Sequence, residues 1–270
     1  MGHKIVLIGC GNMGYAMLAG WTQADPSLEV HVVEPFADFR KRAEQTGAKT
    51  AESLNALPEN LQADLVILAV KPQMIAPVLA ECGSMAASGA TFVSIAAGTT
   101  MATMADALPH PAPLIRCMPN TPAAVGEGMM VLCAGSGVSE DAKALTERLF
   151  STSGAVAWVA EENLMDAVTA ISGSGPAYIF HFIEALTAAG EALGLPAETA
   201  ALLAMQTVAG AGKYAQLSDS SPTTLREQVT SPNGTTEAAL KVLMADNHLG
   251  KLVAEATKAA RDRGVELGKG

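Results

Sequence analysis

Aromatic residues are scarce in this chain: they make up 4% of 270 residues, and the formal net charge is −10. An acidic surface repels phosphate backbones and offers few rings for bases to stack on, which argues against nucleic-acid binding. Long apolar runs are missing too. The run Leu65–Val70 is closed by Lys71-Pro72, far too early to span a bilayer. The segment HKIVLIG enters a strand-like pattern with no charged-then-apolar leader and no small-residue cleavage site. A soluble, cytoplasmic protein is the expectation. Cysteine is sparse: Cys10, Cys82, Cys117 and Cys133 form no CxxC pair and have no histidine at metal-ligand spacing. Reduced, incidental thiols and no metal site are expected. Ser-His-Asp order, HExxH and a Gly-Lys-Ser/Thr phosphate loop are also lacking.

What is present follows two grammars. Up to about residue 160, apolar bursts alternate with amphipathic stretches. The bursts are KIVLIG (4–9), EVHVVEP (29–35), DLVILAV (64–70), TFVSIA (91–96), PLIRCM (113–118) and GMMVLCA (128–134). Helix-like segments lie between them at Met13–Gln23, Phe36–Thr46 and Met101–Leu108. This rhythm predicts an α/β, doubly wound, mostly parallel sheet covered on both faces. After AVAWVAEEN (155–163) the alternation stops. Ala/Leu/Met/Glu-rich windows follow at Glu162–Ile171, Ala177–Leu193, Ala197–Leu217, Pro222–Gln228, Thr235–Asp246 and Leu249–Arg263. Pro176, Pro196 and Pro222 fall at first-turn positions, and Gly194 and Gly264 at stops. Two domains are expected, 1–160 and an all-helical 161–270. So much alanine buries little area per helix, and a second copy of the chain is expected to supply the missing burial.

The stretch Gly9-Cys10-Gly11-Asn12-Met13-Gly14 fits GxGxxG in the context the pattern needs, after an apolar strand and before a helix. The first glycine permits the turn, the second lets backbone approach a pyrophosphate, and the third lets helix pack on strand. Free amides at the helix start then face the phosphates. Glu34, twenty residues past Gly14, closes the second burst. An acid there accepts from ribose hydroxyls and repels a 2′-phosphate, so the cofactor reading is NAD(P)H with a leaning towards NADH. Against that leaning, Arg40, Lys41 and Arg42 just downstream could reach a phosphate; the reading favoured for the trio is a solvated face of the second helix. The loop Ala69-Val70-Lys71-Pro72 leaves the strand over 64–70 at its carboxyl end, the edge that lines the ligand crevice. Ala97-Gly98 leaves the next strand likewise. Asn120, between two prolines, presents its amide to the same edge.

In the helical half, TSPNGTT (230–236) interrupts an alanine-rich tract. Asn233-Gly234 tolerate positive φ, so the chain can turn and start a helix with Thr235 and Thr236 at its cap. No acid stands three residues after Ser231, Thr235 or Thr236 to form a capping box. Two readings follow: a simple capped turn, or an anion site for a small carboxylate. Beside a nicotinamide-binding half the second is expected. Gly173-Ser174-Gly175-Pro176 is read as a compact bend before a long helix, and His181 as structural.

GCGNMG, AVKPQ, SIAAG, RCMPNTPAAVGEG, SGSGPAYIF and VTSPNGTTEAAL, in this order and spacing, resemble the pyrroline-5-carboxylate reductase family, from Ile5 to about Arg263. The resemblance implies reduction of L-1-pyrroline-5-carboxylate to L-proline, the last step of proline biosynthesis. It also implies a Rossmann domain and an all-α dimerisation domain with interlocking helices, in some members forming rings of dimers. Carried over, cofactor contacts fall on Gly9–Gly14, the Lys71 loop, Ala97, Gly98, Asn120 and, more loosely, Asn55. Substrate contacts fall on Ser231, Gly234 and Thr235, and the hydroxyl reaching the ring nitrogen is that of Thr236, the assigned catalytic residue. Asn233 departs from the glycine common in the family but also tolerates positive φ. Rival readings are a reductase of another imine or of a β-hydroxy acid, and a non-catalytic dinucleotide sensor. Lysines in the helical half are few, and none stands in the glycine-rich helix a hydroxy-acid dehydrogenase would need.

Overall fold

The computed structural model describes residues 2–268. The chain divides into two compact units, Met1–Ser174 with Ala260–Gly270, and Gly175–Ala259. The first unit carries strands β1 (Lys4–Ile8), β2 (Glu29–Val33), β3 (Lys49–Ala51), β4 (Leu65–Leu68), β5 (Thr91–Ser94), β6 (Leu114–Met118), β7 (Gly128–Ala134) and β8 (Gly154–Trp158). They form one 8-stranded sheet in the order β3-β2-β1-β4-β5-β6-β7-β8. Every neighbouring pair is parallel except β6 and β7.

Its helices are α1 (Asn12–Ala24), α2 (Ala37–Glu44), α3 (Ile75–Ala80), α4 (Gly83–Ala87), α5 (Met101–Ala107), α6 (Glu140–Phe150) and α7 (Met165–Val168). Period-two alternation in β1 sends Ile5 and Leu7 to one face and Val6 and Ile8 to the other. Ile5 and Leu7 share a core with Met17, Leu18 and Trp21 of α1 and Leu149 and Phe150 of α6. Val6 and Ile8 pack instead with Ile75 and Leu79 of α3, Met85 of α4 and Met104 of α5. Burial on both faces explains why the central strands read as unbroken apolar bursts.

The second unit contains α8 (Gly175–Ala192), α9 (Ala197–Leu217), α10 (Pro222–Gln228), α11 (Thr235–Met244) and most of α12 (His248–Leu267). α8 lies along α9 with Gly190 opposite Ala200, so small side chains set the spacing. Among its described residues only Ala200 and Ala204 are buried. Phe180, Leu202, Leu217, Val242 and Leu252 are each more than half exposed. A helical unit with no large side chain inside has no core of its own.

The six expected strands and the expected helices are present, and three details differ. β3 and β8 are additional; Lys49-Thr50-Ala51 has no apolar burst, and it forms by pairing with β2. Gly264 does not end α12, which runs on to Leu267. A β-carbon at Gly264 would come within 3.1 Å of the Asp166 carboxylate, so this glycine serves close packing of the final turns on the first unit. The bend over Gly173–Pro176 is a π-helical turn at Thr169–Gly173 running into α8, closed by the Ser174 N–H on the Thr169 carbonyl at 2.8 Å. No described helix is long and apolar enough to cross a membrane. Among the described residues no cluster of acidic, histidine and cysteine side chains could hold a metal ion.

Candidate active site

Strand order reverses between β1 and β4, so a crevice opens at their carboxyl ends. The glycine turn leaves β1 there and the Ala69–Pro72 loop leaves β4. Gly9 adopts φ +90°, and a β-carbon on it would come 2.6 Å from the Ala69 carbonyl oxygen and 2.9 Å from Val70. Gly14 is pressed against the Gly9 carbonyl oxygen and the Ala69 side chain, with no room for a β-carbon. Gly11 differs: a β-carbon there would meet nothing within 4 Å. The open approach lies at the glycine expected to admit a pyrophosphate. α1 begins with no side-chain cap and no acid in its first turn, and the amides of Asn12, Met13 and Gly14 have no acceptor among the described residues. A helix start left in that state attracts an anion, so the residues present fit a dinucleotide.

Glu34 is placed differently from its expected role. It is 4% exposed, and its carboxylate accepts the Cys10 N–H at 2.8 Å and the Phe36 N–H at 3.0 Å. Both oxygens brace the turn from inside. Arg42 is half-buried rather than on a solvated face: its guanidinium lies 4.0 Å over the Tyr15 ring and donates to the carbonyls of Cys10 at 3.1 Å and Gly11 at 3.3 Å. Arg40 likewise folds back, and of the trio only Lys41 is exposed. Burial pushes the Cys10 thiol up to about 11, with Arg42 pulling the other way, so it stays protonated and unreactive.

The remaining expected contacts divide. Lys71 is exposed and caps the short 3-10 turn Pro72–Met74. Ala97 is exposed, and Gly98 takes φ +73° facing Leu267 of α12. The Asn120 side chain is engaged by the protein: its amide nitrogen donates to the Ser172 carbonyl at 3.0 Å and its oxygen accepts the Met129 N–H at 2.8 Å. It ties β7 to the π-helical turn. Asn55 lies on an exposed 3-10 turn, in a groove shared with Glu59, Glu81 and Ser84 that includes no residue of the glycine turn. Arg116 carries no role among the expectations from sequence. It is 4% exposed in β6 and donates to Glu162 at 3.2 Å, which also accepts the Met101 N–H at 2.7 Å. The signal was there: a lone charge inside an otherwise apolar strand.

In the second unit, Asn233 adopts φ 58° and Gly234 is the N-cap of α11, donating to the Ser231 carbonyl at 3.0 Å. The cap is thus one residue earlier than expected, which puts Glu237 three residues on, where a capping-box acid belongs. Glu237 accepts the Asn233 N–H and pairs with Lys241 at 2.9 Å. The amides of Thr235, Thr236 and Glu237 keep no acceptor among the described residues. Thr236 is half-buried beside them. His181 is exposed and paired with Glu184 at 3.0 Å.

The glycines separate two effects. Gly11→Ala is expected to change stability by no more than about 1 kcal/mol yet weaken dinucleotide binding roughly tenfold or more. Gly14→Ala is expected to cost about 1–3 kcal/mol in urea unfolding. Equal effects of the two on stability would contradict this division. Lys241, then the Asn233 N–H, holds the Glu237 carboxyl below its ordinary range. A depressed carboxyl contributes above its unfolded pKa and loses that contribution as pH falls through the folded one. Hydrogen exchange of the Asn233 amide should therefore lose protection below the ordinary carboxylate range. Protection unchanged there, or already absent in neutral solution, would remove Glu237 as the brace.

Residues 162–267 match the family pattern described as pyrroline-5-carboxylate reductase dimerisation, and residues 4–98 that described as NADP oxidoreductase, coenzyme F420-dependent. The chain is 41% identical over 266 residues to a pyrroline-5-carboxylate reductase of Pseudomonas aeruginosa, covering 98% of this chain and 96% of that one. A solved pyrroline-5-carboxylate reductase from Coxiella burnetii superposes with TM-score 0.93 at 38% identity, over 100% of both chains. The Plasmodium falciparum pyrroline carboxylate reductase, solved with NADP bound, gives 0.81 at 29% identity over 98% of each. With relatives of this identity matched along nearly their whole length, the chain belongs to the pyrroline-5-carboxylate reductase family.

Proposed function

We propose a division of labour for the activity that comes with the family, NAD(P)H-dependent reduction of the C=N bond of L-1-pyrroline-5-carboxylate to L-proline. The observation that carries it is the start of α11. Thr235, Thr236 and Glu237 offer amides without an acceptor, while the nearby acid is turned back onto the Asn233 N–H and neutralised by Lys241. A helix start kept clear of its own carboxylate suits a small external one. Ser231, Gly234 and Thr235 would bind the substrate carboxylate there, fixing which ring face is presented. In the first unit, Gly9–Gly14 and the open amides of α1 would hold the dinucleotide pyrophosphate, with Ala69–Pro72 and Ala97-Gly98 along the same sheet edge. The reduced nicotinamide, when bound, supplies the hydride.

The chain's own residues then have little proton work to do. A cyclic imine protonates readily, and its iminium carbon is a strong electrophile, so orientation is the main requirement. Thr236 would hydrogen-bond the ring nitrogen, holding it in line as charge leaves the iminium. The unburied apolar faces of α8, α9, α11 and α12 support a homodimer through the helical unit, which gives each copy the core it lacks. Association of dimers into a larger ring, and a cytoplasmic setting, belong to the same proposal.

Thr236→Ala should lower kcat/KM for pyrroline-5-carboxylate by roughly tenfold to a hundredfold, the worth of one hydrogen bond to a charged group. An unchanged rate would remove its assigned role. Sedimentation at micromolar concentration should give a mass of two chains or a multiple of it, and a stable monomer would refute the shared core.

A further inference from the structure

The far end of α1 carries a second, smaller recess. Trp21, Ala24 and Leu28 line it from α1 and the turn that follows, and Leu149 from α6, around a cavity of about 170 Å³. Asp25 and Arg148 stand on its exposed side, with Arg148 Nη1 donating to Asp25 Oδ2 at 3.3 Å. An exposed pair of this kind is worth little and opens at small cost. Trp21 is fully buried, yet its indole N–H has no acceptor among the described residues. A buried donor normally has a partner, so this one is left for an acceptor that enters from outside.

The charges around the recess define what enters. The chain leaves α1 through Pro26, which has no N–H to give, and the carbonyls of Thr22, Gln23 and Ala24 accept from no described group. The last turn of α1 holds no basic residue. A helix end in that state favours a cation. Asp25 Oδ1 is taken by the Ser27 N–H at 3.0 Å and its hydroxyl at 2.5 Å, whereas Oδ2 is held by Arg148. When Arg148 turns to an incoming carboxylate, Oδ2 is released for an incoming ammonium, so one ion pair becomes two. The same carboxylate answers the Trp21 N–H. A plain acid or a plain amine satisfies only half of these groups, and a zwitterion satisfies them all. A cavity of roughly 150 Å³ takes one benzene, so this recess takes a molecule of about eight non-hydrogen atoms.

We infer that this recess binds a free α-amino acid with a compact apolar side chain, its carboxylate on Arg148 and the Trp21 N–H and its ammonium on Asp25. The glycine turn lies at the opposite end of this helix of 13 residues, roughly 20 Å away, so the site is separate from the dinucleotide cradle. Trp21 and Trp158 are the only tryptophans. A nitrogen–proton correlation spectrum of the full chain therefore holds two indole signals, and Trp158→Phe identifies that of Trp21. Titration with L-valine should shift the Trp21 signal with a Kd on the order of 1 mM. Isovalerate and isobutylamine, the same body without the ammonium or without the carboxylate, should bind at least roughly tenfold more weakly. Arg148→Gln, an exposed position where folding is not at risk, should weaken L-valine by a similar factor. A Trp21 signal that L-valine leaves in place, its N–H serving a resident water only, would overturn the inference. So would equal binding of all three probes, which marks a merely apolar hollow, or an unchanged L-valine affinity in Arg148→Gln.

Discussion

The carbonyl oxygen of Gly9 occupies the space where a side chain on Gly14 would begin, and the first unit's site is arranged around that contact. Because α1 can press directly onto the turn leaving β1, its first amides point into the crevice at the β1–β4 reversal. Because Gly9 takes φ +90°, the same turn also lies against Ala69 and Val70 of the neighbouring loop. One tight packing event therefore sets the direction of a helix dipole and the position of two loops. The two cores on either side of the sheet keep that geometry rigid, with Trp21 and Phe150 buried on the α1 side.

A shared device appears at the two helix starts. At each, an acid accepts an N–H just ahead of the helix: Glu34 that of Cys10, Glu237 that of Asn233. A cation stands at each turn: Arg42 on the Cys10 carbonyl in one case, Lys241 paired with Glu237 itself in the other. The turn is braced by a carboxylate, and the amides inside the helix stay open. An acid placed on those amides would occupy them; placed on the preceding residue, it shapes the turn and leaves them open. The electrostatic cost of an acid near a helix start with open amides is offset by the nearby cation.

The helical unit obeys a different constraint. With alanines at the α8–α9 contact and large apolar side chains turned outward, it closes helix against helix but encloses nothing. Its stability has to come from surface that a single copy leaves bare, which ties folding of this unit to association. α12 joins the two constraints by chain connectivity, beginning in the helical unit and ending with Gly264 against Asp166 of the first.

Much of this was legible in the residues themselves. Unbroken apolar bursts announce buried parallel strands, GxGxxG after a strand announces the turn, and Asn-Gly before two threonines announces a helix start, because each depends on chain-local sterics and hydrogen bonding. β3, with no apolar burst, was not legible, since its backbone is ordered by β2. Nor could residue type tell that Asn120 ties β7 to the π-helical turn or that Glu34 turns inward; those side chains choose among partners that are distant in sequence. The sequence by itself determined the order of strands and helices, the glycine turn and the broken tract at TSPNGTT, all consequences of short-range backbone preference. Tertiary structure alone decided which charges brace a turn and which remain available, because a carboxylate or guanidinium settles on whichever amide or carbonyl the fold brings within 3 Å of it, roughly the length of one hydrogen bond.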